Sequence, residues 1–245
     1  MCTNFRLWVV FFIALYSSSC KHDKEGNFTI QMDGKYGNQN FVLGTPNTDL
    51  QGRRIQIEKL KFYLSHITLV KDNNEETEIK DVALINFENP GSIIVNADVN
   101  GDFKAIKFGL GVDSIQNNTD PLSVPSSNPL SGDNGMYWSW LKYQFEILEA
   151  RCDTTSTGSG IFNWFPLYHI GGNAQYRQVV LNKTFSVCCN NKSTVTLTLD
   201  VEKIFYGSTQ TLDIITESTT QMGAGDDPNV AVKFVDNFSS AFRVN

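Results

Sequence analysis

Apolar and polar residues alternate along much of this chain with the period of two that marks half-buried β-strands. The clearest run covers residues 54–70, where Ile55, Ile57, Leu60, Phe62, Leu64, Ile67 and Leu69 are separated mostly by polar side chains. Lys71-Asp72-Asn73-Asn74 supplies turn residues, and a second strand is expected over residues 77–87. Asn100-Gly101 carries the strongest two-residue hairpin signal in the chain, because both residue types accept positive φ. It sits between strand-like segments at residues 92–99 and 103–110. From Gly111 to Gly135 the character changes, and Pro, Ser, Asn, Asp and Gly crowd into one long connection. Loops of that length commonly carry function. Further strands are expected at residues 137–150, 162–170, 179–188 and 194–204, and a short helix or another edge element at residues 234–244. The pattern contains no internal repeat and no long amphipathic helix. It predicts an all-β fold, a mostly antiparallel β-sandwich forming a single domain.

Composition narrows the function. The 245 residues are 41% hydrophobic and 12% aromatic, enough for a substantial core, and only 19% are charged, with a net charge of −6. A nucleic-acid binder needs a basic surplus to neutralise phosphates, so that class is excluded. The N-terminus reads as a targeting segment. One basic residue, Arg6, precedes an apolar run over residues 7–16, which ends in Ser17-Ser18-Ser19-Cys20. That run is too short for a bilayer-spanning helix, which takes about 20 residues, and it fits a secretory signal. Cys20 after three small residues resembles a bacterial lipobox, in which the cysteine becomes the acylated first residue. The expected organisation is a signal peptide at residues 1–19, a charged tether at residues 20–26 and the folded domain at residues 27–245. The expected location is the periplasm or the cell surface, as an outer-membrane lipoprotein held to the membrane by its lipid anchor alone. His22 would be third in the mature chain, where a free amine, two amides and imidazole can chelate Cu(II) in a square plane, an arrangement that acylation abolishes.

An oxidising compartment favours a disulfide. Adjacent cysteines rarely bond to each other, so the plausible bond joins Cys152 to Cys188 or Cys189 and leaves one thiol over. The chain has no Gly-x-Ser-x-Gly, no His-Glu-x-x-His and no phosphate loop, so it is expected not to be an enzyme. Two histidines fall within the expected domain, His66 in Phe62-Tyr63-Leu64-Ser65-His66 and His169 in Tyr168-His169-Ile170-Gly171-Gly172. Between them lies Met136-Tyr137-Trp138-Ser139-Trp140. On a single strand, the two tryptophans would share a face.

At these residues the chain resembles the MbnP-like copper-binding proteins, a family that includes copper-scavenging proteins of methanotrophs. Four blocks stand in the family's order. They are Leu60-Lys61-Phe62-Tyr63-Leu64-Ser65; Ile106-Lys107-Phe108-Gly109-Leu110-Gly111-Val112-Asp113 with Asn117 after it; Gly135-Met136-Tyr137-Trp138-Ser139-Trp140 with Tyr143 and Phe145; and Tyr168-His169-Ile170-Gly171. The resemblance implies a secreted β-rich protein that binds copper through histidine. It also implies that a tryptophan, Trp138 or Trp140, can be oxidised to kynurenine by a MauG-type dihaem cytochrome c peroxidase partner. Indole offers only an N–H donor, whereas kynurenine carries an aromatic amine and a ketone. His169 matches the family's histidine in the fourth block, and His66 is the second expected ligand. Where several methanotroph members carry His after the Asn of the second block, this chain has Asn118. The alternative expectation is a metal-free module that binds a peptide, glycan or protein through the 111–135 loop and the aromatics Tyr137, Trp138 and Trp164.

Overall fold

The computed structural model describes residues 24–88, 93–155, 160–222 and 226–245. In chain order the strands are β1 (Gly26–Tyr36), β2 (Gln39–Asn40), β3 (Pro46–Thr48), β4 (Arg54–Lys71), β5 (Glu76–Asn86), β6 (Ile93–Val99) and β7 (Gly101–Leu110). They continue as β8 (Tyr137–Trp138), β9 (Lys142–Cys152), β10 (Leu167–Gly171), β11 (Arg177–Val187), β12 (Lys192–Asp200), β13 (Thr219–Thr220) and β14 (Phe242–Val244), with helices α1 (Glu202–Phe205) and α2 (Pro228–Ser240). A nine-stranded sheet has the order β11-β7-β4-β9-β10-β13, with β3 and β5 also on β4 and β8 on β9. A five-stranded sheet has the order β14-β12-β1-β2, with β6 also on β1. The pairing is mostly antiparallel, as expected of a sandwich, with parallel contacts between β1 and β12 and between β10 and β13.

Alternation along β9 shows how the layers pack. Leu148, Ala150 and Cys152 enter the main core, which also holds Phe28, Ile30 and Met32 of β1. Tyr143, Phe145 and Ile147 point the other way into a smaller apolar cluster with Val112, Leu130 and Met136. The large sheet is therefore covered on both faces, on one of them by the long connection after β7. That connection is pinned where Tyr63 Oη donates to the Pro129 carbonyl (3.0 Å) and Tyr143 Oη to the Leu130 carbonyl (2.7 Å).

Four local expectations change. Asn100-Gly101 does not close a hairpin, because β6 pairs with β1 while β7 pairs with β4 and β11, so this link carries the chain from one sheet to the other. Gly101 has φ +143°, far from the left-handed geometry of a type I′ turn. Of the segment at residues 162–170, only Leu167–Gly171 is a strand, and the segment at residues 194–204 ends as the helical turn α1. The C-terminal stretch is both a helix and an edge strand. In α2 the Asp227 carboxylate caps the first turn by accepting from Asn229 N (2.9 Å), and Pro228 starts the helix. Phe234 and Phe238 then stack on Tyr168 and meet Phe62 edge-on, with ring centroids 4.9 and 5.0 Å apart.

Candidate functional site

On β10, Tyr168 and Ile170 enter the main core. His169 between them therefore turns to the opposite face of the large sheet. Its Nε2 lies 3.0 Å from Glu149 Oε1 on the neighbouring strand β9, and the same carboxylate takes Lys59 Nζ at 3.2 Å. The tautomer that donates from Nε2 to Glu149 leaves Nδ1 with a lone pair. Nδ1 is buried and has no hydrogen-bond partner among the described residues. Burial lowers the His169 pKa and outweighs the raising effect of Glu149, so the imidazole is neutral at pH 7.

Aromatic rings connect this imidazole to solvent. The Trp138 ring centroid is 4.9 Å from that of His169, tilted by 54°, and Trp140 stacks on Trp138 at 5.3 Å and 27°. Trp140 is 56% exposed. A cavity of about 380 Å³ lined by Tyr137, Trp138, Ser139, Trp140 and Gln221 opens at this point. The two tryptophans do not share one strand. Trp138 ends β8 and pairs with Lys142, and Trp140 lies in the tight turn between them, where Leu141 N donates to the Trp138 carbonyl (3.2 Å). Lys142 closes that turn at φ +66°. They meet through a turn rather than through strand alternation.

The second and third sequence blocks meet at the same place. Asn117 Oδ1 accepts from Tyr143 N (3.2 Å), and its Nδ2 donates to Asn173 Oδ1 (2.9 Å), which ties the long connection to β9 and to the turn after β10. The Asn118 amide is already committed. Its Nδ2 donates to the Ser114 carbonyl (2.6 Å), and its Oδ1 accepts from Lys142 Nζ. No local motif marks Glu149; only the register of β9 against β10 brings it to His169.

His66 lies elsewhere. It sits on a bulge of β4 at φ +49°, where the register against β7 slips between Ser65 and Thr68. Its Nδ1 is 3.0 Å from Glu78 Oε2 and 3.9 Å from Asp81 Oδ1, and its Nε2 is 3.0 Å from Asp113 Oδ2. Ligand atoms of His66, Glu78 and Asp81 all fall within 4.8 Å of one another, a grouping that could take a cation. The partial burial of His66 lowers its pKa, but the hydrogen bonds and charges of Glu78 and Asp113 outweigh it and raise the value. The two histidines do not meet. His169 pairs with Ile147 and Ile147 with Lys61, five residues before His66 on β4. Strand spacings place the two backbones about 19 Å apart, beyond the reach of one shared ion. Trp164 is also remote from Trp138, because it bridges to Cys152 at the far end of β9.

The expected disulfide is not formed. Cys152 lies beside Ile55 at one end of β4, whereas Val187, next to Cys188, lies beside Gly101 beyond the other end. The gap is on the order of 50 Å along the strands, against an upper limit of about 7 Å between bridged Cα atoms. Cys152 is a buried free thiol, pushed up to about 11 by desolvation. The proposed lipidation site Cys20 and the possible chelator His22 lie outside the described residues.

Comparison with known proteins bears on the fold and the family. No curated protein matches the sequence. The structure is similar to that of MbnP from Methylosinus trichosporium, with a TM-score of 0.59 at 17% identity, covering 91% of this chain and 99% of that one. At that identity the likeness speaks for the fold. The family model for MbnP matches residues 25–223, which takes in β1, all four sequence blocks and the His169 site. The chain belongs to the MbnP family.

Proposed function

We propose that this protein binds copper at His169, beside Trp138, and that it acts as a binding protein rather than an enzyme. The observation that carries this reading is the bare, buried Nδ1 of a neutral imidazole whose other nitrogen is fixed by Glu149. A metal-ligating histidine characteristically gives its second nitrogen to a carboxylate, which sets the tautomer and the ring orientation. Imidazole suits copper, and a bound copper ion would supply an electrophilic centre next to the Trp138 ring. His169 would hold the ion and Glu149 would orient it, while Trp138 and Trp140 shield it from bulk water.

Trp138 is the residue whose oxidation would add a donor to this site. Conversion to kynurenine consumes two equivalents of hydrogen peroxide and releases the indole C2 carbon as formate, a net loss of one carbon and gain of one oxygen, and a MauG-type dihaem peroxidase partner is the proposed agent. The Asn118 side chain, bonded to Lys142 and to the Ser114 carbonyl, contributes no imidazole. This centre therefore depends on His169 and on a donor derived from Trp138. The signal-like N-terminus with Cys20 supports a lipid-anchored protein in the periplasm or at the cell surface. No helix among the described residues is long and apolar enough to cross a membrane.

The test is anaerobic Cu(I) titration of the full chain against a chromogenic chelator, together with the mass of the Trp138 peptide from protein made in its native host. Histidine 169 should be indispensable, so His169→Ala should abolish binding at this centre. If that variant keeps the Trp138-side copper as tightly as the wild type, the reading fails, and the exposed Trp138–Trp140 pair becomes the contact surface of a metal-free binding module.

A further inference from the structure

The vicinal cysteines at the β11–β12 connection have no part in the His169 centre. Asn191 N donates to the Cys188 carbonyl at 3.0 Å, and φ is +63° at Cys189 and +60° at Asn190. Positive φ at both central positions defines a type I′ turn, which here joins β11 of the large sheet to β12 of the small one. Asn190 suits that geometry, whereas a cysteine with positive φ is uncommon. The entering chain grips the turn, since Cys189 N donates to the Lys24 carbonyl (2.7 Å) and Asn190 N to the Glu25 carbonyl (3.1 Å). Between this turn and the Asn100-Gly101 link lies a cavity of about 240 Å³. Cys188 and Cys189 form one wall and the hydrogen-bonded Asp102–Ser186 pair another. Cys189 is exposed and Cys188 half-buried.

Three facts narrow what this pair can do. Cys152 is at the opposite end of the sheet, so neither cysteine has it as a disulfide partner. Adjacent residues hold their Cα atoms 3.8 Å apart, shorter than the separation a relaxed disulfide takes. Both cysteines line the one cavity, and thiolates select soft cations. We propose that the Cys188-Cys189 turn is a second metal site, specific for a soft thiophilic cation such as Cu(I) and separate from the His169 centre. Binding forms two Cu–S bonds and releases the two thiol protons to solvent, with no change in oxidation state. Cys152, buried and raised to about 11, stays protonated and takes no part.

The test uses the reduced full chain under argon, with Cu(I) delivered as a chelator complex. Cys189→Asn removes one thiolate and places at φ +63° a residue that accepts it, so the turn is kept. Wild type should retain one more equivalent of Cu(I) than Cys189→Asn and release two protons with that equivalent. Cys152→Ser should match the wild type. His169→Ala should keep the thiol-bound equivalent, which separates failure here from failure of the copper reading above. Equal stoichiometry in wild type and Cys189→Asn overturns the proposal. So does a native protein that lacks two hydrogens, regains them on reduction and even then takes up no copper through sulfur.

Discussion

His66 and His169 are both imidazoles next to carboxylates, and their surroundings shift their protonation in opposite directions. His66 stands on a bulge, open to water, with Glu78 and Asp113 on its two nitrogens, and its pKa is raised. His169 is buried and shares one carboxylate with Lys59, and its pKa is lowered. In the first case both nitrogens are engaged and the cation is favoured. In the second, one nitrogen is engaged, the ring is neutral and the other nitrogen is left for a ligand. The comparison teaches that a carboxylate beside a histidine does not decide its role. The number of nitrogens satisfied and the desolvation of the ring do.

The comparison can be broken most decisively at Glu149. Glu149→Gln should weaken copper binding about 10- to 100-fold, the usual cost of losing the partner that orients a ligand histidine, as read by chelator competition. An affinity unchanged in that variant would remove the distinction between the two sites. Far-ultraviolet circular dichroism should be unaltered, since Glu149 lies at the edge of the core.

Next in size is a pair of opposite pH effects on stability. His66 has a raised folded pKa, so its contribution is fully present below the ordinary histidine value of 6.5 and is lost as pH climbs through the folded value. His169 has a lowered folded pKa, so its site is stable above 6.5 and loses stability as pH falls from there towards the folded value. Urea midpoints across this range should show that His66→Ala removes the decline on the alkaline side and leaves the acid side as it was. The same decline persisting in His66→Ala would show that Glu78 and Asp113 do not hold the cation. Because the cluster is part-exposed, the loss should be no more than about 1 kcal/mol. The smallest expected effect is that of His66→Ala on copper at the His169 centre, within about twofold, since the two sites lie about 19 Å apart.

The extent to which this was legible in the sequence follows the range of each interaction. β4 and β5 show as alternation because one face meets the core over most of their length, although Phe62, Tyr63, Leu64 and Ser65 are buried in succession where the second cluster covers the sheet. The same signal runs through Phe28, Ile30 and Met32 of β1, next to the tether, and there it is easily passed over. In α2, Val230, Ala231, Phe234, Val235 and Phe238 recur at helical spacing after an Asp-Pro start, yet the run is short enough to read as an edge element. Asn100-Gly101 shows the opposite failure. Its residue types favour a hairpin, but β6 and β7 bury their faces in different sheets, and tertiary packing overrides the local preference. The true type I′ turn formed at Cys189-Asn190, which no glycine announces. His169 and Trp138 could be picked out by local context. That His66 is remote, and that Glu149 is the partner, depends on strand register, which no local pattern encodes.

The grip of the Cys188–Asn191 turn on Lys24 and Glu25 fixes where the chain enters its fold. That entry lies near the Lys71 end of β4, while His169 is level with Lys61. Ten residues of strand separate the two levels, a lever of about 33 Å. Lys24 and Glu25 are thus held at arm's length from the ring stack of Trp140, Trp138 and His169, and a macromolecule that docks on that stack need not touch the point of entry.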